Sequence, residues 1–468
     1  MLQQKPGTTR FVAKCQRSVQ SASSIKLIPD KMKNRLSLPV ISILCITVIL
    51  FIVTSNTNWH KGHWKSIIEA DAKGYYAYLP AVFIYHDLNL GFFDSIENGK
   101  YYNRCMFYDY RTGAHGKTIN KYYCGTALAQ LPFFLVAHAI AHLTGADADG
   151  YSKIYPVCIS IAAIIYLITG LIYFIAVMKH YNLSPWTVVF TLFATVFGTN
   201  LFYYTVGEPA LSHIYSFAFI TMFFYYSVRY FSTPKPGYIT VLGALLGIII
   251  LIRPVNGLII FIWPFAAGGF RQLRDGLATA FKHTIHLSSA LFLCVAIISI
   301  QLILYKISTG HFFVYSYGGE GFVFTQPHIA DILFSYKKGL FLYTPMYLLA
   351  FTGLYFIRKI SPFSFYSWLL FFLLITYVFS SWWNWYYGGS FSSRVYVEFL
   401  SLFMLLLAVT LQNIRKKAIK YVYITLIGLF IIICQVQTYQ YRYYYIHWEN
   451  MTKEKYWDVF MRVDKLIK

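Results

Sequence analysis

The sequence predicts an all-α polytopic membrane protein of about eleven transmembrane helices. Three observations predict it. Residues are 57% hydrophobic and 20% aromatic but only 12% charged, across 468 positions. Apolar runs of the length needed to cross a hydrocarbon layer, roughly 17–25 residues, recur along the chain. Lys and Arg fall between those runs, as orienting charges do in membrane proteins.

The formal charge of +22 does not point to nucleic acid. The basic residues are spread between apolar runs and form no stripe or DNA- or RNA-binding motif. The seven cysteines show no metal-ligand spacing. Cys45, Cys158, Cys294 and Cys434 lie in apolar runs and read as packing residues. Cys105 and Cys124 share one polar loop, where an external location would permit a disulfide.

Residues 1–37 form a basic segment, expected to be cytoplasmic. The run 38–54 follows, and Ser-Asn-Thr-Asn-Trp after it is no cleavage site, so it reads as an uncleaved anchor. A transmembrane domain over 38–438 then opens with a long external loop, 55–154. Later spans are expected at about 155–177, 186–206, 211–231, 238–252, 254–268, 286–307, 339–357, 363–380, 395–411 and 420–438. The short pair broken at Arg253-Pro254 reads as an irregular hairpin.

The stretch 127–143 (ALAQLPFFLVAHAIAHL) is only just long enough to cross. Charge decides it. If it does not cross, Lys179, Arg229, Arg271, Arg274, Lys282, Arg358, Lys359 and Arg415–Lys417 all fall inside, and the opposite loops carry few cations. It is therefore expected to lie at the outer interface as an amphipathic or re-entrant helix. The tail 439–468 is then external and interfacial, with Trp448, Met451, Trp457 and Phe460 against Lys453–Lys455. The expected location is the inner (plasma) membrane, multi-pass, with the N-terminus cytoplasmic and the C-terminus external.

On the outer side, polar residues gather. Glu69 and Asp71 lie just past the first span, ahead of Tyr75 and Tyr76. Glu208 and His213 sit at the turn between the third and fourth spans, Arg253 at the next outer hairpin, Lys337 and Lys338 in a medium loop, and Trp385 and Arg394 after the ninth span. Singly each has an ordinary reading: solvated acids, snorkelling cations, interface aromatics, packed histidines. Together they supply acids, cations able to grip phosphate, and aromatic faces suited to sugars.

These residues, in this order and sidedness, resemble the GT-C class of integral-membrane glycosyltransferases, which use polyprenyl-phosphate-linked sugar donors, and within it the mannosyltransferase-like bacterial group. The resemblance covers most of the chain after residue 38. It rests on Glu69-Ala70-Asp71, Tyr75-Tyr76-Ala77-Tyr78-Leu79-Pro80, Gly125-Thr126-Ala127-Leu128, Leu211-Ser212-His213, Arg253-Pro254-Val255-Asn256-Gly257, Lys338-Gly339-Leu340 and Trp385 to Arg394. It implies a long first external loop carrying juxtamembrane helices. It implies sugar transfer from a polyprenyl-phosphate donor to a lipid, glycan or protein acceptor on the external (periplasmic) face, with inversion.

By the same resemblance Asp71 is the first candidate for base, with Glu69 assisting or binding metal. The acidic pair is Glu-Ala-Asp where the class has Asp-Asp, which leaves Glu69 and Asp71 as alternatives. Arg253, Lys337, Lys338 and Arg394 are candidate donor-binding cations, with His213, Trp385, Tyr75 and Tyr76 as further binding residues. Glu208 would be a ligand for a divalent cation, Mg²⁺ or Mn²⁺. The competing readings are a flippase or transporter for a lipid-linked glycan and a surface-polysaccharide polymerase. Broken midplane helices or charges buried within spans would favour the transporter.

Overall fold

In the computed structural model, which describes residues 37–101 and 108–464, the apolar runs are helices. The chain divides at Ser37, and residues from Leu38 onward form one unit. The basic segment 1–36 lies outside the described residues, as does Cys105 of the expected disulfide.

Helix α1 (Leu38–Asn58) leads into the first long polar segment: α2 (Asp71–Phe83), an antiparallel hairpin of β1 (Arg111–Ala114) and β2 (Lys117–Asn120), and α3 (Gly125–Thr144). Then come α4 (Ile154–His180), α5 (Pro185–Phe197), α6 (Leu201–Val206), α7 (Ser212–Ser232) and α8 (Gly237–Ile252). The Ser184 side chain caps α5, with Pro185 at its first position, so a helix resumes directly after a sharp turn.

Pro254 ends α8, and the chain continues as a 3₁₀ helix (Pro254–Ile262) into α9 (Trp263–Ala267). A 3₁₀ helix rises roughly 2 Å per residue against roughly 1.5 Å in an α-helix, so this short stretch reaches further than its length implies. The amphipathic α10 (Phe270–Lys282) and the long α11 (Thr284–Thr309) follow. The single span expected at 339–357 is broken by Pro345 and Thr352: after α12 (Ile329–Phe334) come α13 (Leu340–Tyr343), α14 (Met346–Phe351) and α15 (Gly353–Ile360). Last are α16 (Pro362–Ser380), a 3₁₀ segment (Arg394–Phe399), α17 (Leu400–Asn413), α18 (Lys417–Arg442) and α19 (Lys453–Val459).

This is an all-α membrane protein. Among the described residues seven helices are long and apolar enough to cross a bilayer. One is α3, and its neighbours define where it runs. Helices α4 and α7 are parallel, in contact at Tyr166–Tyr215 and Tyr173–Tyr225, and they end level where Ser232 meets His180. Helix α3 runs antiparallel to the first half of α4 only. Tyr166 donates to the Ala129 carbonyl near the start of α3, and His138 meets Tyr155 in the first turn of α4. Gly125 abuts the backbone of Leu251 and Ile252 with no room for a Cβ, so the start of α3 is wedged against the end of α8.

The turns rich in Lys and Arg gather at one end. Ser232 bonds His180, Tyr230 donates to Gly276, Ser364 donates to Gly268, and Ser184 donates to Gln412. At the other end Asn58 donates to Val206, and Arg442 donates to Asn58. The tail folds back here: Trp448 and Trp457 are exposed, but Met451 and Tyr456 are buried, and Tyr456 packs on Tyr343.

Candidate active site

The site forms at the end opposite the basic turns, from segments far apart in sequence. Its first part is the start of α2. Ala70 holds φ 50°, a left-handed backbone that costs an L-residue free energy. It turns the chain so that Asp71 opens the helix, where the peptide dipoles favour a negative charge. Helix α2 is fixed from behind: Asn120 donates to the Gly74 carbonyl at 2.7 Å, Tyr78 to the Tyr122 carbonyl at 2.8 Å, and Tyr76 to the Gly150 carbonyl at 2.5 Å. Tyr76, expected to bind substrate, is thus fully buried in packing, and its hydroxyl is committed to the backbone.

The second part is the turn 381–393. Positive φ at Tyr387, Gly388 and Ser392 winds it tightly, and Ser393 donates to the carbonyls of Ile332 and Lys338. This delivers Arg394 to Asp71. Nη2 lies 2.7 Å from Oδ2, and the side chains are only 13% and 20% exposed. Tyr122 donates to the other oxygen, Oδ1, at 2.7 Å. Burial would push the Asp71 carboxyl up, but the Arg394 guanidinium and the Tyr122 hydroxyl outweigh it and hold the group below the usual carboxylate range. Arg394 Nε is buried with no partner.

A second ion pair lies within electrostatic reach of the first. Arg253 Nη1 is 2.6 Å from Glu398 Oε1, and His213 Nδ1 lies 3.0 Å from the same oxygen. Glu398 is fully buried and its Oε2 has no partner. The sequence reading passed over Glu398, placing it inside an apolar span. Its signal was an acid in such a run, a group retained there only with a partner; as a charge buried within a span it is also a feature that favours the transporter reading.

The remaining predicted residues divide into two groups. Tyr75 stacks on Tyr122 with ring centres 4.5 Å apart, and its hydroxyl is influenced by Arg253 and Asp71. Glu208 accepts from Tyr203 at 3.0 Å. Burial pushes its carboxyl up to about 7, against the pull of Arg394 and the Tyr203 hydroxyl. Buried Lys338 donates to the Ser390 carbonyl; burial and the nearby Arg394 push its ammonium down to about 7. These residues share one electrostatic neighbourhood with Asp71.

Lys337 and Trp385 gather around Tyr386, with Lys337 within electrostatic reach of Lys338. Lys337 lies 3.4 Å from that ring's centre, and Trp385 packs between Tyr386 and His328. Glu69 is partly buried, and burial raises its carboxyl while Lys73 opposes the shift.

Among the described residues no three of His, Cys, Asp or Glu converge as ligands. Both Asp71 oxygens are engaged by Arg394 and Tyr122, and Glu208 stands without a second free carboxylate. An apolar groove of about 390 Å³, lined by Pro254, Val255, Leu258, Phe261, Phe322 and Phe324, opens directly after Arg253.

No family model matches the chain, and no curated protein matches it in sequence. Among the solved structures that align with the chain are two from Archaeoglobus fulgidus. The oligosaccharyltransferase AglB of Archaeoglobus fulgidus, in complex with an inhibitory peptide and a dolichol-phosphate, aligns with a TM-score of 0.44 at 10% identity, over 90% of this chain and 57% of that one. An Archaeoglobus fulgidus oligosaccharyltransferase in the apo form aligns with a TM-score of 0.44 at 12% identity, over 89% of this chain and 57% of that one. This chain therefore spans little more than half the length of either.

Proposed function

We propose that this chain is a GT-C-type glycosyltransferase. It moves a sugar from a polyprenyl-phosphate-linked donor to a lipid, glycan or protein acceptor at the external face of the plasma membrane, with inversion at the anomeric carbon. The observation that carries the reading is the Asp71–Arg394 pair at 2.7 Å, with a second buried cation, Arg253, beside an apolar groove. A base, two phosphate-binding guanidiniums and a channel for an isoprenoid are the parts such a reaction needs.

The step balances as a direct displacement. Asp71 takes the proton of the acceptor hydroxyl, whose oxygen attacks the anomeric carbon from the face opposite the leaving group. The bond from that carbon to the phosphate oxygen breaks, and its electron pair leaves on polyprenyl phosphate. The donor's diester phosphate carries one negative charge and the leaving monoester two. Arg394 and Arg253 stabilise the charge that develops, in a buried setting where such stabilisation is strongest.

The separation of the ends supports the orientation: the basic turns lie at one and the site at the other. The bond from Tyr166, about halfway along α4, to Ala129 near the start of α3 supports a helix that stays within the outer half. Sugar transfer is tested with radiolabelled polyprenyl-phosphate sugar in membranes containing the chain. A new glycosidic bond supports a transferase; movement of intact lipid-linked sugar across the bilayer with no new bond supports a flippase and ends the proposal.

A further inference from the structure

Arg394 presents one edge of its guanidinium to two claimants. Nε and Nη2 point to the same side and together form the edge that grips a phosphate or carboxylate with two parallel hydrogen bonds. Asp71 occupies only Nη2, through a single oxygen, because its other oxygen is held by Tyr122. Nε is buried and unpartnered, an arrangement that costs free energy unless a ligand completes it. A phosphate that took the whole edge would have to share or displace the Asp71 bond.

Resting on the transferase reading above, we propose that Arg394 changes partners during the reaction: it pairs with Asp71 before the donor is engaged and with the leaving phosphate as the sugar departs. Charge makes the exchange self-consistent. When Asp71 accepts the acceptor's proton it becomes neutral and gives up its claim on the guanidinium. At the same moment the phosphate gains its second negative charge and its claim grows. While the pair with Arg394 is intact, Asp71 is a weak base, its carboxyl held low. Engagement of the donor phosphate begins to draw Arg394 away and proton transfer completes the exchange, so the base gains strength only when a sugar is ready to receive the attack.

The groups facing Asp71 leave Arg394 as the movable one. Tyr122, Tyr108 and Lys121 reach it from the outer loop, Tyr75 from its own helix, Tyr204 from α6, Glu208 from the turn before α7, and Tyr317 from the loop after α11. Tyr122 is itself tied to Tyr108 at 2.5 Å and stacked on Tyr75. Arg394 alone joins a direct bond to Asp71 with an unfilled buried donor.

The test uses the full chain in liposomes, with Arg394→Ala and Arg394→Lys, steady-state sugar transfer from pH 4.5 to 8, and added guanidinium ion. Removing the side chain should raise the donor KM on the order of tenfold or more and move the acid limb of the rate profile upward by about one pH unit or more, because Asp71 loses the partner that holds it low. Guanidinium should restore both in Arg394→Ala. Arg394→Lys, which keeps the charge but offers no two-donor edge, should keep the low acid limb while the donor KM stays raised. An Arg394→Ala that changes only the donor KM, or only the acid limb, assigns Arg394 to one partner and overturns the exchange. Absence of transfer by the wild-type chain would instead remove the transferase reading itself.

Discussion

The Asp71 carboxylate and the Arg394 guanidinium are 323 positions apart in the chain and 2.7 Å apart in space. Four residues beyond Arg394, Glu398 makes the second ion pair, to Arg253. One short 3₁₀ segment therefore sets both guanidiniums, one from its own side chain and one through a carboxylate.

That arrangement makes Glu398 a positioning residue for Arg253. Glu398→Gln keeps the shape but removes the charge that holds the guanidinium, and losing one partner of a buried pair costs about 3–5 kcal/mol. The expected result is a donor KM raised on the order of tenfold with a smaller change in kcat, and partial recovery with Glu398→Asp. Equal losses in Gln and Asp variants, confined to protein yield, would reduce Glu398 to a packing role.

Donor binding should strengthen as the solution is acidified through neutrality. Glu208, with its carboxyl near 7, is neutral below that pH and anionic above it; Lys338, also near 7, is cationic below and neutral above. Both changes add positive charge to the site as pH falls. A diester donor analogue carries one charge throughout, so its affinity should rise on the order of tenfold from pH 8 to pH 6. Glu208→Gln should remove much of that slope, measured by quenching of tryptophan fluorescence. A slope of the opposite sign would contradict the placement of these groups around the phosphate.

Transfer should survive chelation. With Asp71 engaged by Arg394 and Tyr122, and no cluster of three carboxylate, imidazole or thiol ligands among the described residues, cationic side chains carry the electrostatics. Activity after prolonged EDTA treatment and dialysis should match the untreated enzyme; loss of activity restored by Mg²⁺ or Mn²⁺ would reinstate Glu208 as a ligand.

Gly125→Ala should destabilise the junction of α3 and α8, where a Cβ meets the backbone of Leu251 and Ile252. Overpacking of this kind costs typically 1–3 kcal/mol, and a lowered thermal midpoint in detergent would register it. An unchanged midpoint would mean that the two helices do not approach so closely.

Much of this was legible in the sequence, and the reasons differ by residue. The spans are visible because long apolar runs bounded by Lys and Arg have few other readings, and the break at Arg253-Pro254 announces the irregular 3₁₀ stretch. Asp71 and Arg394 stood out as charges at span edges. Glu398 did not, although it is the only acid between Asp331 and Glu449, because an apolar run conceals a buried charge whose partners come from other helices. The amphipathic α10 was read as a basic loop, since its cations drew attention from the helical spacing of Leu273, Leu277 and Phe281. Tyr76 differs from Tyr75 by one residue, about 100° around α2. That rotation carries Tyr76 away from the charged cluster and into the packing beneath it.

The central claim is that Asp71 is the base for sugar transfer, and its most direct measurement is single-turnover transfer from a labelled polyprenyl-phosphate sugar by the purified chain and its Asp71→Asn variant. The account predicts a product inverted at the anomeric carbon, formed by the wild type and slowed about 10²–10⁴-fold in the variant, with the variant inserted and folded as before. Transfer at the wild-type rate by Asp71→Asn, or a product that retains the donor's anomeric configuration, would contradict it.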